Sequence, residues 1–210
     1  MKRLTTLLII TLVFGVSSIS HAQEFSFGVQ AGFNLSTMLA KDDAAKSTDY
    51  KLAPGFNIGG VAEMPITDLF SVQAKLLFTT KGFNYKSSGS STKVNCFLFY
   101  TEIPILAKAN FEIGNIGVYG LLGPYFGFGL AGRAKVGDDT ESIKWGSDGN
   151  ADDFKRFDAG LSIGAGANLS IVQVGMNYNF GLTNISAYTD DGYRNKNRSF
   201  NIFVIYVFGQ

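Results

Sequence analysis

The chain has 210 residues, a formal net charge of +1, 25 glycines and 14% aromatic residues. Charged residues make up only 17% of the sequence, whereas about a quarter is usual for a soluble domain. The near-zero net charge argues against nucleic acid as a partner, and the single cysteine, Cys96, excludes an internal disulfide.

The first 22 residues have the three parts of a secretory signal peptide. Lys2 and Arg3 form a basic start, residues 4–16 are apolar, and residues 20–22 resemble a cleavage site. The apolar stretch is too short for a spanning helix, which needs about 20 residues. We therefore predict a signal peptide at 1–22 and one domain at 23–210. A secreted chain without a further long apolar run is either soluble or an outer-membrane β-barrel.

Eight segments alternate apolar and polar residues with a period of two, the pattern of a β-strand. In chain order they are residues 25–36, 55–64, 70–85, 95–112, 116–133, 157–169, 172–183 and 197–208. Four longer connections alternate with short turns, and they are residues 37–53, 86–93, 134–156 and 184–196. This rhythm is typical of an even-stranded barrel with short periplasmic turns and long external loops. Pro104 cannot donate to a ladder, so we expect a bulge or local break there.

The hairpin at 157–183 indicates which face meets which environment. One face is almost wholly apolar, and the other carries Gly, Asn, Gln, Ser and Asp158. A soluble sandwich or a lipocalin-like barrel would place its apolar face inside and Lys, Glu and Thr in water. A membrane barrel turns its apolar face to lipid, and strands of about 12 residues tilted near 45° climb roughly 28 Å, enough for the apolar band. We therefore predict an all-β fold, an eight-stranded antiparallel up-and-down transmembrane β-barrel.

Four segments resemble the PorT-type outer-membrane β-barrel family of Bacteroidetes. They are GVQAGFNLS at 28–36, YTEIPILAK at 100–108, FDAGLSIGAGA at 157–167 and YNFGLTNI at 178–185, and the resemblance spans essentially the whole chain after the signal. It implies an eight-stranded barrel comparable to small OmpA or OmpX barrels. The family's namesake is linked to secretion and gliding machinery, but most members are generic surface barrels, so the resemblance implies neither one activity nor a catalytic site.

Seven charged side chains alternate onto the predicted inner face. They are Glu63, Lys75, Lys81, Glu102, Lys108, Arg133 and Asp158. They could line a conduit, but an eight-stranded barrel has an interior only wide enough for side chains. Buried charges are costly unless paired, and three acids nearly balance four bases. We therefore predict a packed polar network, with Tyr100, Tyr119 and Tyr125 filling the same space.

Two short motifs could suggest a cofactor or a metal, but their contexts do not fit. Residues 127–132 match G-x-G-x-x-G, yet they lie within a strand and no helix follows. Asp148, Asn150 and Asp152 have the spacing of a calcium loop, but the glycine and the distal glutamate of that loop are missing. We predict no cofactor and no specific metal site.

Histidine content bears on catalysis. The only histidine is His21, inside the predicted signal peptide. Enzymatic small barrels generally use a histidine as base or partner, so we predict no catalytic residues.

The predicted function is that of an outer-membrane protein with a structural or surface-interaction role. Its partners would be outer-membrane lipid and, through the four long loops, other envelope proteins, with the chain itself a monomer. Two alternatives remain open: an accessory component of a secretion or gliding apparatus, and a narrow pore for small solutes.

Overall fold

A computed structural model describes residues 25–41, 50–86, 93–114, 116–137, 139–189 and 192–208. The predicted signal peptide lies outside these residues. The strands are β1 (Ser26–Lys41), β2 (Tyr50–Lys51), β3 (Ala53–Pro65), β4 (Phe70–Lys86), β5 (Lys93–Ile113), β6 (Ile116–Val136), β7 (Asp139–Ser142), β8 (Phe157–Leu169), β9 (Val172–Gly181) and β10 (Arg194–Phe208). No helix in these ranges is long and apolar enough to span a membrane.

Eight of the described strands close into an antiparallel ring. Its order is β1, β3, β4, β5, β6, β8, β9 and β10, and β10 pairs back onto β1 from Phe208↔Phe27 to Arg194↔Lys41. Each remaining neighbour in the ring is also next along the chain once β2 and β7 are set aside. This is the up-and-down barrel that the alternating long and short connections predict, and the prediction of the fold class is confirmed.

The faces of the barrel follow the period-two pattern of the sequence. In β8, Leu161 is 46% exposed whereas the neighbouring Ser162 is 1% exposed. Aromatic and aliphatic side chains cover the outside, while amides, hydroxyls and glycines point inward. An apolar outside and a polar inside match a surface that meets hydrocarbon rather than water.

The two ends of the barrel differ in construction. One end, called the turn end here, has the short connections at residues 66–69, 114–115 and 170–171, and the other, the loop end, has the long ones. Strands β5 and β6 each contain 21 residues, which at a tilt near 45° corresponds to a height of roughly 50 Å. Because the apolar band is only about 25 Å tall, these strands continue well beyond it at the loop end.

The strands take up part of what the sequence predicts as loops. Strand β1 runs to Lys41, β10 begins at Arg194, and β6 continues to Val136, where the short β7 pairs with it. The long connections are therefore shorter than predicted. The cross-strand partners of these extensions lie far away in the chain, so the local pattern gives no sign of them.

A β-bulge lies at Leu130, not at Pro104. In the β5–β6 ladder, Phe99 faces Ala131 while Tyr100 faces Gly129, so Leu130 is the extra residue. Around Pro104 the β4–β5 ladder is interrupted, because it pairs Ala74 with Ile105 and Leu77 with Glu102 and has no pair between them. The register is the same on both sides, so the expected local break is present and no bulge accompanies it. A bulge reverses the inward and outward alternation beyond it. Arg133 is exposed and lies outside the barrel, and its predicted inward position is wrong for this reason.

Candidate functional site

An ion pair near the turn end joins β3 to β5 inside the barrel. The Lys108 ammonium lies 2.8 Å from Glu63 Oε2 and 2.9 Å from Oε1. Three further side chains donate hydrogen bonds to the same carboxylate: Ser71 at 2.8 Å, Gln73 at 3.1 Å and Gln173 at 3.3 Å. Because Gln173 comes from β9, the carboxylate connects strands across the interior. This turn-side cluster leaves the Glu63 charge fully compensated.

A second cluster lies closer to the loop end and centres on Lys81 of β4. Its ammonium lies 2.5 Å from Glu102 and 3.0 Å from Asp158, and all three side chains are at most 4% exposed. Side chains from two other strands donate hydrogen bonds to the two carboxylates. Asn197 donates to Asp158 at 2.9 Å, and Asn179 donates to Glu102 at 3.0 Å. This loop-side cluster therefore ties five strands together through buried, charge-assisted hydrogen bonds.

Lys75 lies between the two clusters. Its ammonium donates to Gln30 at 2.9 Å and sits 4.0 Å from the centre of the Phe203 ring. No carboxylate of the described residues lies within 4.0 Å of it. A polar cavity of about 10 Å³ adjoins Lys75 and Glu102, which is about the space that one water needs.

The inward charges of the described strands balance. Three bases, Lys75, Lys81 and Lys108, face three acids, Glu63, Glu102 and Asp158, because the bulge takes Arg133 out of the set. Charges removed from water are tolerated where they are paired and hydrogen-bonded.

An apolar layer fills the half of the interior near the turn end. Its buried members come from four strands and are Val61, Leu106, Tyr119, Leu121, Phe203, Ile205 and Val207. Both faces of β10 are apolar near the turn end, with Phe203, Ile205 and Val207 on the inner one. The unbroken apolar run at 202–208 is the signal that both faces of this strand are covered.

The loop end carries a cap, which consists of residues 143–156 and 184–189. Trp145, Phe154 and Ile185 pack on barrel residues that include Leu98 and Tyr100. The Trp145 ring meets Tyr100 edge-on, with centroids 5.7 Å apart. Backbone hydrogen bonds hold the two parts of the cap together, such as Lys155 N to Ile185 O at 2.7 Å. The longest predicted polar loop thus has an apolar side that covers the barrel interior.

Two glycines of the G-x-G-x-x-G match leave room for this cap. A Cβ at Gly129 would lie 2.4 Å from the Trp145 ring, and one at Gly132 would lie 2.9 Å from Ile143. The backbone of Gly129 also donates to the Arg156 carbonyl at 2.8 Å. The glycines therefore serve packing, in agreement with the absence of a dinucleotide-type helix after them.

The acidic segment of the cap is a compact turn. Asp148 Oδ1 accepts from the Asn150 amide at 3.0 Å, and Asp152 Oδ2 accepts from the Asp148 amide at 2.9 Å. These carboxylates thus bind their own backbone. Across the described part of the chain, no three His, Cys, Asp or Glu side chains form a group that could hold a metal ion.

Comparison with known proteins places the chain in a family. A family model described as "Outer membrane protein beta-barrel domain" matches residues 20–187. A comparison with curated proteins gives no match.

Several solved structures are similar. One is Ail, the attachment invasion locus protein of Yersinia pestis, in complex with the heparin analogue sucrose octasulfate (19% identity, TM-score 0.44, 88% of this chain and 99% of that chain). Another is neisserial surface protein A, NspA (14%, TM-score 0.46, 88% and 99%). A third is OprG of Pseudomonas aeruginosa (14%, TM-score 0.45, 88% and 94%).

Proposed function

The chain belongs to the outer membrane protein β-barrel domain family, and we propose that it is a monomeric, non-catalytic scaffold that presents its loop end for contact with other molecules. The packing of Trp145, Phe154 and Ile185 onto the barrel carries this proposal. A loop that is fixed to a rigid scaffold presents its outer side with little loss of conformational freedom on binding. The contact regions are the connections at 37–53, 86–93, 134–156 and 184–196.

The closed interior favours a contact role over a pore. The cavity beside Lys75 has a volume of about 10 Å³, and side chains of the two charged clusters and of the apolar layer occupy the space around it. A solute would have to displace both the cap and a neutralised ion-pair network. The barrel therefore serves to position a contact surface rather than to form a passage for solutes.

A role as an accessory component of a secretion or gliding apparatus is the second candidate. The resemblance of residues 100–108 and 157–167 to the PorT-type family of Bacteroidetes favours it. These segments supply Glu102, Lys108 and Asp158 to the interior. In this role the loop end or the turn end would contact other subunits of an envelope complex.

Export through a signal peptide at 1–22 is part of the same proposal. The basic start, apolar stretch and cleavage-like site support it. N-terminal sequencing of the protein from outer membranes should give Gln23 as the first residue, and an N-terminus at Met1 would contradict the proposal.

Site-specific photo-crosslinking on intact cells tests the contact role. A photoreactive residue at Ser147, which is exposed on the cap, should give adducts with another cell-surface or envelope molecule, whereas one at exposed Thr67 of the turn end should not. The purified protein should give no conductance steps in planar bilayers. Conductance would support the pore instead. Co-purification with a large envelope complex that is crosslinked at Thr67 would support the accessory role.

A further inference from the structure

Two grooves at the loop end each combine phenylalanines with basic side chains. The first has a volume of about 450 Å³ and combines Phe56, Phe97 and Phe99 with Arg133 and Lys135. The second has a volume of about 490 Å³ and combines Phe128 and Phe157 with Lys155 and Arg156, and its remaining lining is Gly146, Ser147, Thr183 and Asn184. Each groove thus has phenylalanines and two basic side chains, and neither is lined by a carboxylate.

The arginines are held over the aromatic rings. The bulge at Leu130 turns Arg133 outward, and its guanidinium lies 5.6 Å from the centre of the Phe99 ring. Arg156 donates to the Gly129 carbonyl at 2.8 Å and lies 5.9 Å from the Phe128 ring. Each guanidinium keeps further N–H donors for a ligand.

These cations have no acidic partner within the described residues. The ion pairs found there all lie inside the barrel. The four cations of the grooves therefore remain at the border of the apolar surface, and no carboxylate of the described residues lies within 4.0 Å of them. The loop end also has exposed acids, among them Asp139, Glu141 and Asp153, but none of them lines either groove. At the turn end the exposed charged residues in the described connections and strand ends include Asp68 and Glu112. The basic border belongs to one end of the barrel.

A ligand that fits such a groove needs an anionic head and an apolar body. Arginine binds phosphate through two parallel N–H donors, and phenylalanines on a lipid-facing surface lie alongside acyl chains. A free anion in water would gain nothing from the phenylalanines. We propose that the two grooves bind the phosphate-bearing headgroups of membrane lipids in the leaflet at the loop end, with acyl chains lying along Phe56, Phe99, Phe128 and Phe157. Lys135, Lys155 and Arg156 belong to the connection at 134–156 that is proposed to contact other molecules, but the lipid site is tested on the isolated protein and its result is independent of that role.

Boundary-lipid selectivity tests the proposal directly. The full chain is reconstituted in phosphatidylcholine vesicles with spin-labelled phosphatidic acid or spin-labelled phosphatidylcholine, and electron paramagnetic resonance measures the immobilised fraction of each. One basic residue near an anionic lipid corresponds to a preference of about fivefold. The unmodified protein should prefer phosphatidic acid at least to that extent. Equal immobilisation of the two lipids would overturn the proposal.

Two variants with the same loss of charge locate the site. The groove variant carries Arg133→Gln, Lys135→Gln, Lys155→Gln and Arg156→Gln. The control variant changes four exposed basic residues of the loop end outside the grooves, and carries Lys51→Gln, Lys93→Gln, Lys144→Gln and Arg194→Gln. The preference should fall to about one in the groove variant and persist in the control. An equal loss in both variants would mean that net charge alone attracts the lipid.

Folding of each variant is measured separately from its lipid preference. A folded barrel migrates differently from the unfolded chain in a gel run without boiling, so the three proteins are compared before the lipid measurement. Should the groove variant fail to fold, the double variant Arg133→Gln, Lys135→Gln leaves one groove intact and should lose about half of the immobilised phosphatidic acid. No loss in that folded double variant would overturn the assignment of the first groove.

Discussion

Replacing Lys81 with methionine should destabilise the barrel by about 3–5 kcal/mol, the usual cost of removing one partner of a buried ion pair. The ammonium of Lys81 lies 2.5 Å from Glu102 and 3.0 Å from Asp158. Without it, two carboxylates face each other in a space almost closed to water.

Reversible urea unfolding in lipid vesicles measures this loss, with circular dichroism reporting the strands and fluorescence of Trp145, the single tryptophan, reporting the cap. The matched control is Lys51→Met, which removes an exposed charge and should change the free energy of unfolding by less than about 0.5 kcal/mol.

A triple variant separates pairing from packing. Lys81→Met combined with Glu102→Gln and Asp158→Asn removes the whole set of charges and keeps the shapes. A broken buried pair is costly because it leaves an uncompensated charge, and the triple variant leaves none, so it should recover most of the stability. The reasoning is refuted if the single variant costs under 1 kcal/mol, or if the triple variant is as unstable as the single one.

Two further predictions concern the lipid face and the cap. Val174→Arg places a charge on the lipid-facing side of β9 and should cost about 2–4 kcal/mol, whereas Ser147→Arg on the exposed cap should cost under about 0.5 kcal/mol; equal effects on folding into vesicles would mean that the faces are assigned wrongly. Gly129→Val places a methyl-bearing Cβ where the Trp145 ring lies, so it should shift the Trp145 emission to the red and expose the cap to protease. Gly120→Val has open space around its Cβ and should leave both signals unchanged.

Strand count, order and faces were predictable from the sequence because each depends on a local pattern. The alternation in residues 157–183 fixes a hairpin and its two faces, and strands in a membrane satisfy every backbone group only when they close into a barrel. The same alternation brings Glu63, Lys75, Lys81, Glu102, Lys108 and Asp158 to one side of the strands. The choice of partner within that set depends on which strands face each other across the interior, and no spacing along the chain encodes it.

The structure differs from the prediction where a single residue or a distant contact overrides the alternation of apolar and polar residues. One extra residue at Leu130 reverses the alternation and sends Arg133 outward. Counting alternate residues cannot detect the extra residue, because the strand is amphipathic with or without the bulge. The cap was missed for another reason. Trp145, Phe154 and Ile185 are isolated apolar residues in polar segments, and they acquire an interior only when two distant connections meet over the barrel.

The most direct measurement of the central claim is the environment of alternate residues in one hairpin. Nitroxide side chains are placed, in a Cys96→Ser background, at Leu161 and Ile163 on the outside and at Ser162 and Asn179 on the inside of β8 and β9. Collision rates with dissolved oxygen, which concentrates in hydrocarbon, are then measured in vesicles. High rates at Leu161 and Ile163 with low rates at Ser162 and Asn179 are predicted. The opposite order, or equal rates at all four positions, would contradict a barrel whose apolar face meets lipid and whose polar face is enclosed.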